Sequence, residues 1–163
     1  MKIQYFFSTF LTAFLGNIYC FAQQSASLLD YVQPLAGTAA STTAAAQKHS
    51  EASSEQYANT IPSVAPPFAM TQWTPQTRKT EEKCVAPYYY TDSLINGFRA
   101  THWLSGSCTQ DYGSFTVMPV SGSLALALKK PESVFTHENE ASSPAHYQVK
   151  LDRYNFQVDM TGS

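Results

Sequence analysis

The chain has 163 residues, 44% hydrophobic and 13% aromatic, which is enough apolar surface for one sizeable core and excludes a wholly disordered polypeptide. Its 10 Lys and Arg against 12 Asp and Glu give a formal charge of -2, with no basic run beyond isolated pairs, so a phosphate-tracking nucleic-acid binder is excluded. Few charges (13%) beside 10 Tyr and 10 Phe suit a β-rich extracytoplasmic protein that handles a neutral polar ligand.

Residues 1–22, MKIQYFFSTFLTAFLGNIYCFA, place Lys2 before an apolar stretch from Tyr5 to Leu15 and end in Cys20-Phe21-Ala22, the pattern of a secretory signal peptide. Gly16, Asn17 and the polar QQSAS that follows cut the apolar run short of the roughly 20 residues a membrane span needs. Bulky Tyr19 ahead of Cys20 argues against lipoprotein processing. The expected mature chain, 23–163, is therefore exported, with no membrane attachment after cleavage, and is periplasmic, on the outer surface or secreted. It keeps Cys84 and Cys108, which an oxidising compartment permits to pair; two free, partly buried thiols fit the sequence equally well.

In chain order, SLLDYVQPLAG reads as a first strand closed by Pro34 and Gly37. The Ala-, Ser-, Thr- and Gln-rich block from Thr38 to Asn59 has no apolar face and reads as a loop or insertion able to hold a weak helix. Four prolines between Pro62 and Pro75 exclude a regular helix and most of a central strand. From Ser93 the pattern becomes β: SLINGF and YGSFTVMPV are short aromatic and β-branched runs, and Ser121-Gly122 reads as a hairpin turn before SLALAL. Tyr147, Val149 and Leu151 share one side of a strand, and Phe156, Val158 and Met160 one side of the next, after a polar bend at 152–155. With no amphipathic helix of ten residues after residue 60, the expected fold is all-β, an antiparallel β-sandwich. The last strand ends at Thr161-Gly162-Ser163 with nothing to cover it, so the sandwich reads as incomplete.

The carboxylates available for acid–base chemistry are Asp92, Asp111, Glu138, Glu140 and Asp152, and no spacing sets two of them across a substrate. Glu138 and Glu140, in THENEASSP, read as solvated loop charges. Nucleophile-elbow, zinc-helix and phosphate-loop motifs are all missing. A binding loop is better supported. Trp73 lies among prolines and polar residues, and His102-Trp103 precedes Ser105-Gly106-Ser107, whose small side chains let backbone approach a ligand. An aromatic face with fixed donors and acceptors, here including Arg99 and Asp111, is the composition of a carbohydrate site. The plainer reading makes each Trp a lid on the core and His102 a structural hydrogen bond.

The segments DYVQPLAGT, NTIPSVAPPFAMTQWTPQT, GFRATHWLSGSCTQDYGSFTVMPVSG, FTHENEASSPAHYQVKL and VDMTG, in this order from Asp30 onward, resemble the amino-terminal domain of glycoside hydrolase family 92, the bacterial exo-acting α-mannosidases common in Bacteroidetes. The resemblance implies a galactose-mutarotase-like sandwich at 23–163, truncated here, that precedes an (α/α)6 catalytic barrel absent from this chain. It implies an inverting, calcium-dependent glycosidase whose acid, base and metal ligands lie mostly on the barrel, with no calcium expected on this chain and no hydrolysis by it alone. The implied ligand is a mannose-terminated glycan of N-linked glycoproteins, met by Trp73, His102, Trp103, Ser105, Gly106, Cys108 and Asp111. The sequence departs from the family pattern at Ala69, Ala100 and His146, and a left-handed backbone at Ala69 would strain that turn by about 1 kcal/mol. Two other readings compete: a stand-alone carbohydrate-binding sandwich without catalysis, and a structural sandwich whose tryptophans are only core.

Overall fold

The computed structural model describes residues 27–44, 60–66, 69–78, 85–103, 113–123 and 131–162. The signal-like segment, most of the Ala-rich block, Cys84 and Cys108 lie outside them. The described elements are eight strands and two 3₁₀ turns. β1 (Gln72–Gln76), β3 (Gly97–Thr101) and β4 (Phe115–Val117) form one antiparallel sheet in the order β1-β3-β4. β2 (Leu94–Ile95) pairs with β5 (Ser133–Val134), and β6 (Glu140–Ser143), β7 (His146–Leu151) and β8 (Phe156–Thr161) make a meander.

The all-β expectation holds, and so does the period of two at the end of the chain. Tyr147, Val149 and Leu151 of β7 are all buried, while Phe156, Val158 and Met160 of β8 pack at the core's margin. Between them Asn155 takes φ 51°, a left-handed turn position that Asn tolerates better than other side chains. Phe98 of β3 meets Tyr147 of β7 with ring centroids 6.5 Å apart, so the two three-stranded sheets share one core with Ile61, Tyr88, Ile95, Trp103 and Phe135.

The opening strand expected at SLLDYVQPLAG is instead a 3₁₀ turn over Leu28–Tyr31. Ser27 Oγ accepts from the Leu29 N–H at 3.3 Å, and Asp30 Oδ2 accepts from the Ser27 N–H at 3.1 Å. These local bonds satisfy the backbone without a partner strand, which apolar content alone does not reveal. Pro75 does lie in a strand, but at the sheet's edge, where its missing N–H costs no ladder bond toward β3. Ala69 escapes the expected strain: among the described non-Gly residues only Asn155 has positive φ, and the Ala69 N–H closes a turn onto the Pro66 carbonyl at 2.9 Å.

Gly97 opens β3 where the backbone of β4 comes close. A Cβ there would meet the Thr116 side chain and stand 2.9 Å from the Val117 carbonyl oxygen, and φ is 156°. Gly97→Ala is expected to lower stability by about 1–3 kcal/mol in urea unfolding, because one wall of the clash is backbone. A midpoint equal to that of the parent chain would show that β4 can shift freely.

Candidate functional site

Alternation along the three strands of the first sheet decides which side chains share a face. Trp73 is directly opposite Ala100, and Ala100 opposite Phe115. Trp73 and Phe115 sit two strand spacings apart, roughly 10 Å between backbones, and only a small residue between them lets the rings lean together. With Ala100 in that place the rings meet edge to face, centroids 5.5 Å apart at 86°. Phe115 is 57% exposed and Trp73 half-buried, so the face that carries Phe98 into the core surfaces here as an aromatic step.

His102 follows at the end of β3. Its Nε2 lies 3.3 Å from Thr71 Oγ1, one residue before β1, which fixes the imidazole beside the Trp73 end of the sheet. Gly113, φ 63°, returns to the same place: a Cβ on it would be 3.9 Å from His102 Cε1. The sheet thus brings Trp73, His102 and Phe115 together. Trp103 goes elsewhere. It is 6% exposed and belongs to the core, its backbone N–H bonded to Thr101 Oγ1 at 3.0 Å, although its buried indole Nε1 has no hydrogen-bond partner. Arg99, flanked by Phe98 and Ala100, faces the opposite side and donates to Ser114 Oγ at 2.8 Å while buried. Ser105, Gly106, Cys108 and Asp111 lie outside the described residues.

A second polar centre was missed by the sequence reading. Glu138 is exposed, but the Glu140 side chain is 0% exposed, which corrects its reading as a solvated loop charge. Its carboxylate accepts from Tyr88 Oη at 2.8 and 3.0 Å, from Tyr147 Oη at 2.6 Å and from His137 Nδ1 at 2.5 Å. His137 Nε2 lies 2.6 Å from the Tyr90 carbonyl oxygen. Both ring nitrogens of His137 thus face oxygen atoms, a carboxylate on one side and a backbone carbonyl on the other. Tyr90 stacks on that ring at 3.7 Å and 7°, and Phe135 meets it edge-on at 5.3 Å. The legible signal was His137-x-x-Glu140: a 3₁₀ turn over His137–Asn139 brings residues three apart together.

The model of the glycosyl hydrolase family 92 N-terminal domain matches residues 31–163. The chain belongs to glycosyl hydrolase family 92. Among solved structures this family-92 domain is similar to the inverting mannosidase BT2199 of Bacteroides thetaiotaomicron VPI-5482, with 33% identity and a TM-score of 0.66 over 86% of this chain and 17% of that one. It is similar as well to the α-mannosidase BT3965 of Bacteroides thetaiotaomicron, with 28% identity and a TM-score of 0.67 over 86% of this chain and 18% of that one. A complex of BT3965 with mannoimidazole matches at 27% identity and a TM-score of 0.64, over 83% of this chain and 16% of that one. The chain thus spans less than a fifth of the length of these relatives. No curated protein matches it.

Among the described residues of the family-92 domain, the carboxylates do not gather as a calcium site requires. That metal takes six to eight oxygens, whereas no group of three or more His, Cys, Asp or Glu comes together among the described residues and the Glu140 oxygens are engaged by tyrosines and histidine.

Removing the Glu140 carboxylate takes a partner from two buried phenols and the His137 ring at once. Glu140→Ala is therefore expected to cost about 3–5 kcal/mol in denaturant unfolding; a cost under about 1 kcal/mol would show that the cluster is dispensable. Burial, then the Glu140 charge, then the hydrogen bond to it hold the Tyr88 and Tyr147 phenols well above their ordinary value of 10.0. A raised folded value stabilises the protein below pH 10 and loses that contribution as pH climbs past it, since the unfolded chain releases protons the folded one retains. Phenolate absorbance should accordingly show two tyrosines that ionise only as the alkaline chain unfolds. Their titration near pH 10 in a still-folded chain would contradict the geometry.

Proposed function

We propose that this family-92 domain forms one wall of the substrate cleft of an exported, calcium-dependent α-mannosidase that inverts at the anomeric carbon and acts on mannose-terminated N-glycans. The observation that carries the reading is the Trp73–Phe115 step with His102 beside it, in a domain whose solved relatives are described as mannosidases, one of them in complex with mannoimidazole. A pyranose ring offers a C–H face that stacks on an aromatic ring and hydroxyls that need fixed donors and acceptors. Trp73 supplies the first, and His102, held by Thr71, supplies the second.

The reacting carboxylates and the calcium belong, in this proposal, to the part of the relatives' length that this chain does not span. When bound, calcium would supply positive charge next to the sugar; this domain's task is to bind and orient the ring adjoining the cleaved mannose. Ser105, Gly106, Cys108 and Asp111 are proposed as further contacts from the segment that starts after Trp103 and returns at Gly113. The core position of Trp103 limits its proposed contact to the unpaired indole N–H. Export rests on the signal-like pattern of residues 1–22. No described helix is long and apolar enough to cross a membrane.

In the whole enzyme, Trp73→Ala is expected to raise KM for an α-linked mannobiose about tenfold, the worth of one aromatic stack, with a smaller change in kcat. An unchanged KM would remove Trp73 from the cleft. Activity that survives a calcium chelator undiminished would overturn the metal part of the proposal.

A further inference from the structure

The opposite end of the β1–β3 pair holds a second polar concavity. Thr77 and Arg78 continue β1 past Gln76, and Asn96 precedes Gly97, so this place is about four residues, roughly 13 Å, along the ladder from Trp73. Thr77, Arg78, Thr91, Asp92, Ser93, Leu94 and Asn96 line a groove of about 320 Å³ there. Its backbone is pinned: the Thr77 N–H donates to the Pro87 carbonyl at 2.9 Å, the Asn96 N–H to the Gln76 carbonyl at 2.7 Å and the Asp92 N–H to the Tyr89 carbonyl at 3.1 Å.

Among the described residues, five buried side-chain N or O atoms lack a hydrogen-bond partner, and three of them, Arg78 Nε, Asp92 Oδ2 and Asn96 Oδ1, belong to residues lining this groove. Asn96 spends its amide on the Thr77 carbonyl at 2.6 Å and leaves its oxygen bare. Arg78 Nε and Asp92 Oδ2 lie 2.8 Å apart, an attractive charge contact that is not aligned as a hydrogen bond. Arg78 Nε and Asp92 Oδ2 partner each other as an ion pair, so Asn96 Oδ1 is the buried lining atom left to complete, and since buried polar groups are ordinarily satisfied it points to a donor supplied from the groove.

We propose that this groove binds a neutral polyhydroxylated ligand, a pyranose sugar, at a site separate from the Trp73 step. The chemistry selects the class. Asp92 repels an anion and Arg78 a cation, whereas a hydroxyl both donates, as Asn96 Oδ1 and Asp92 require, and accepts, as the guanidinium requires. Thr91 and Ser93 add hydroxyls at the rim, and Leu94, partly exposed, offers an apolar contact to the ring's C–H face. Asn96 Oδ1 is buried where Asn96 lines the groove. The Arg78 side chain is 41% exposed, paired with Asp92 and set over the Tyr89 ring at 4.4 Å.

The test is an amide-resolved NMR titration of the full chain with mannose, glucose and glycerol. The proposal expects saturable shifts at Thr91, Ser93 and Asn96 with the sugars. Asn96→Ala is expected to weaken binding about tenfold. Ser93→Trp, which fills an exposed rim position and leaves the Ser93 carbonyl bonded to the Phe135 N–H, should abolish binding while the protein stays folded. Trp73→Ala should leave it unchanged, which separates this site from the proposed cleft. No saturable shift up to roughly 50 mM sugar, equal affinity for glycerol, or loss in Trp73→Ala with retention in Ser93→Trp would each overturn the assignment.

Discussion

One fully buried carboxylate ties the domain together. Glu140 gathers a phenol from the segment before β2, a phenol from β7 and an imidazole from its own turn. A lone carboxylate in such a place would be ruinous; with its donors fixed around it, it becomes a directional junction between elements that hydrophobic contact alone would leave free to slide. The Tyr88–Tyr90 segment, the His137 turn and the β6–β7–β8 meander are held in one arrangement by this centre, and the Phe98–Tyr147 contact extends it to the sheet that bears Trp73.

β3 distributes the chemistry. It is buried along its whole length, so each residue is committed to one of two packed sides. Phe98 and Ala100 take the aromatic side, while Arg99 and Thr101 take the polar one, where Thr116 Oγ1 donates to Gln76 Oε1 at 2.5 Å. Smallness at Ala100 shapes the surface as much as any aromatic does, since a larger residue would hold Trp73 and Phe115 apart.

Where period two and turn chemistry agree, as at Tyr147 to Leu151 and again at Phe156 to Met160, the strands and their buried sides were legible from residue order. The half-buried place of Trp73 at the margin of the core was legible because prolines and polar neighbours are poor company for a core residue. Its partner Phe115 was not, because their meeting depends on register through β3, which no local pattern carries. Glu140 was misread for a related reason. Local composition in THENEASSP is that of a solvated loop, and the donors that make burial tolerable are 52 residues earlier and 7 residues later in the chain. Leu28 to Val32 misled in the opposite direction: an apolar run promised a strand, but Ser27 and Asp30 closed the backbone on itself.

The outer rim of β1 bears on how copies of this protein meet. Val64 covers it at a single two-way bridge to Trp73, with N···O distances of 2.7 and 3.2 Å, and Pro75 two residues on offers no N–H to a newcomer. A stranger's extended segment that tried to zip along this rim would find the first rung taken and a later one blank. The border beside the aromatic step is thereby closed to templated stacking, and those rings can stand in water without inviting fibrous growth along that border.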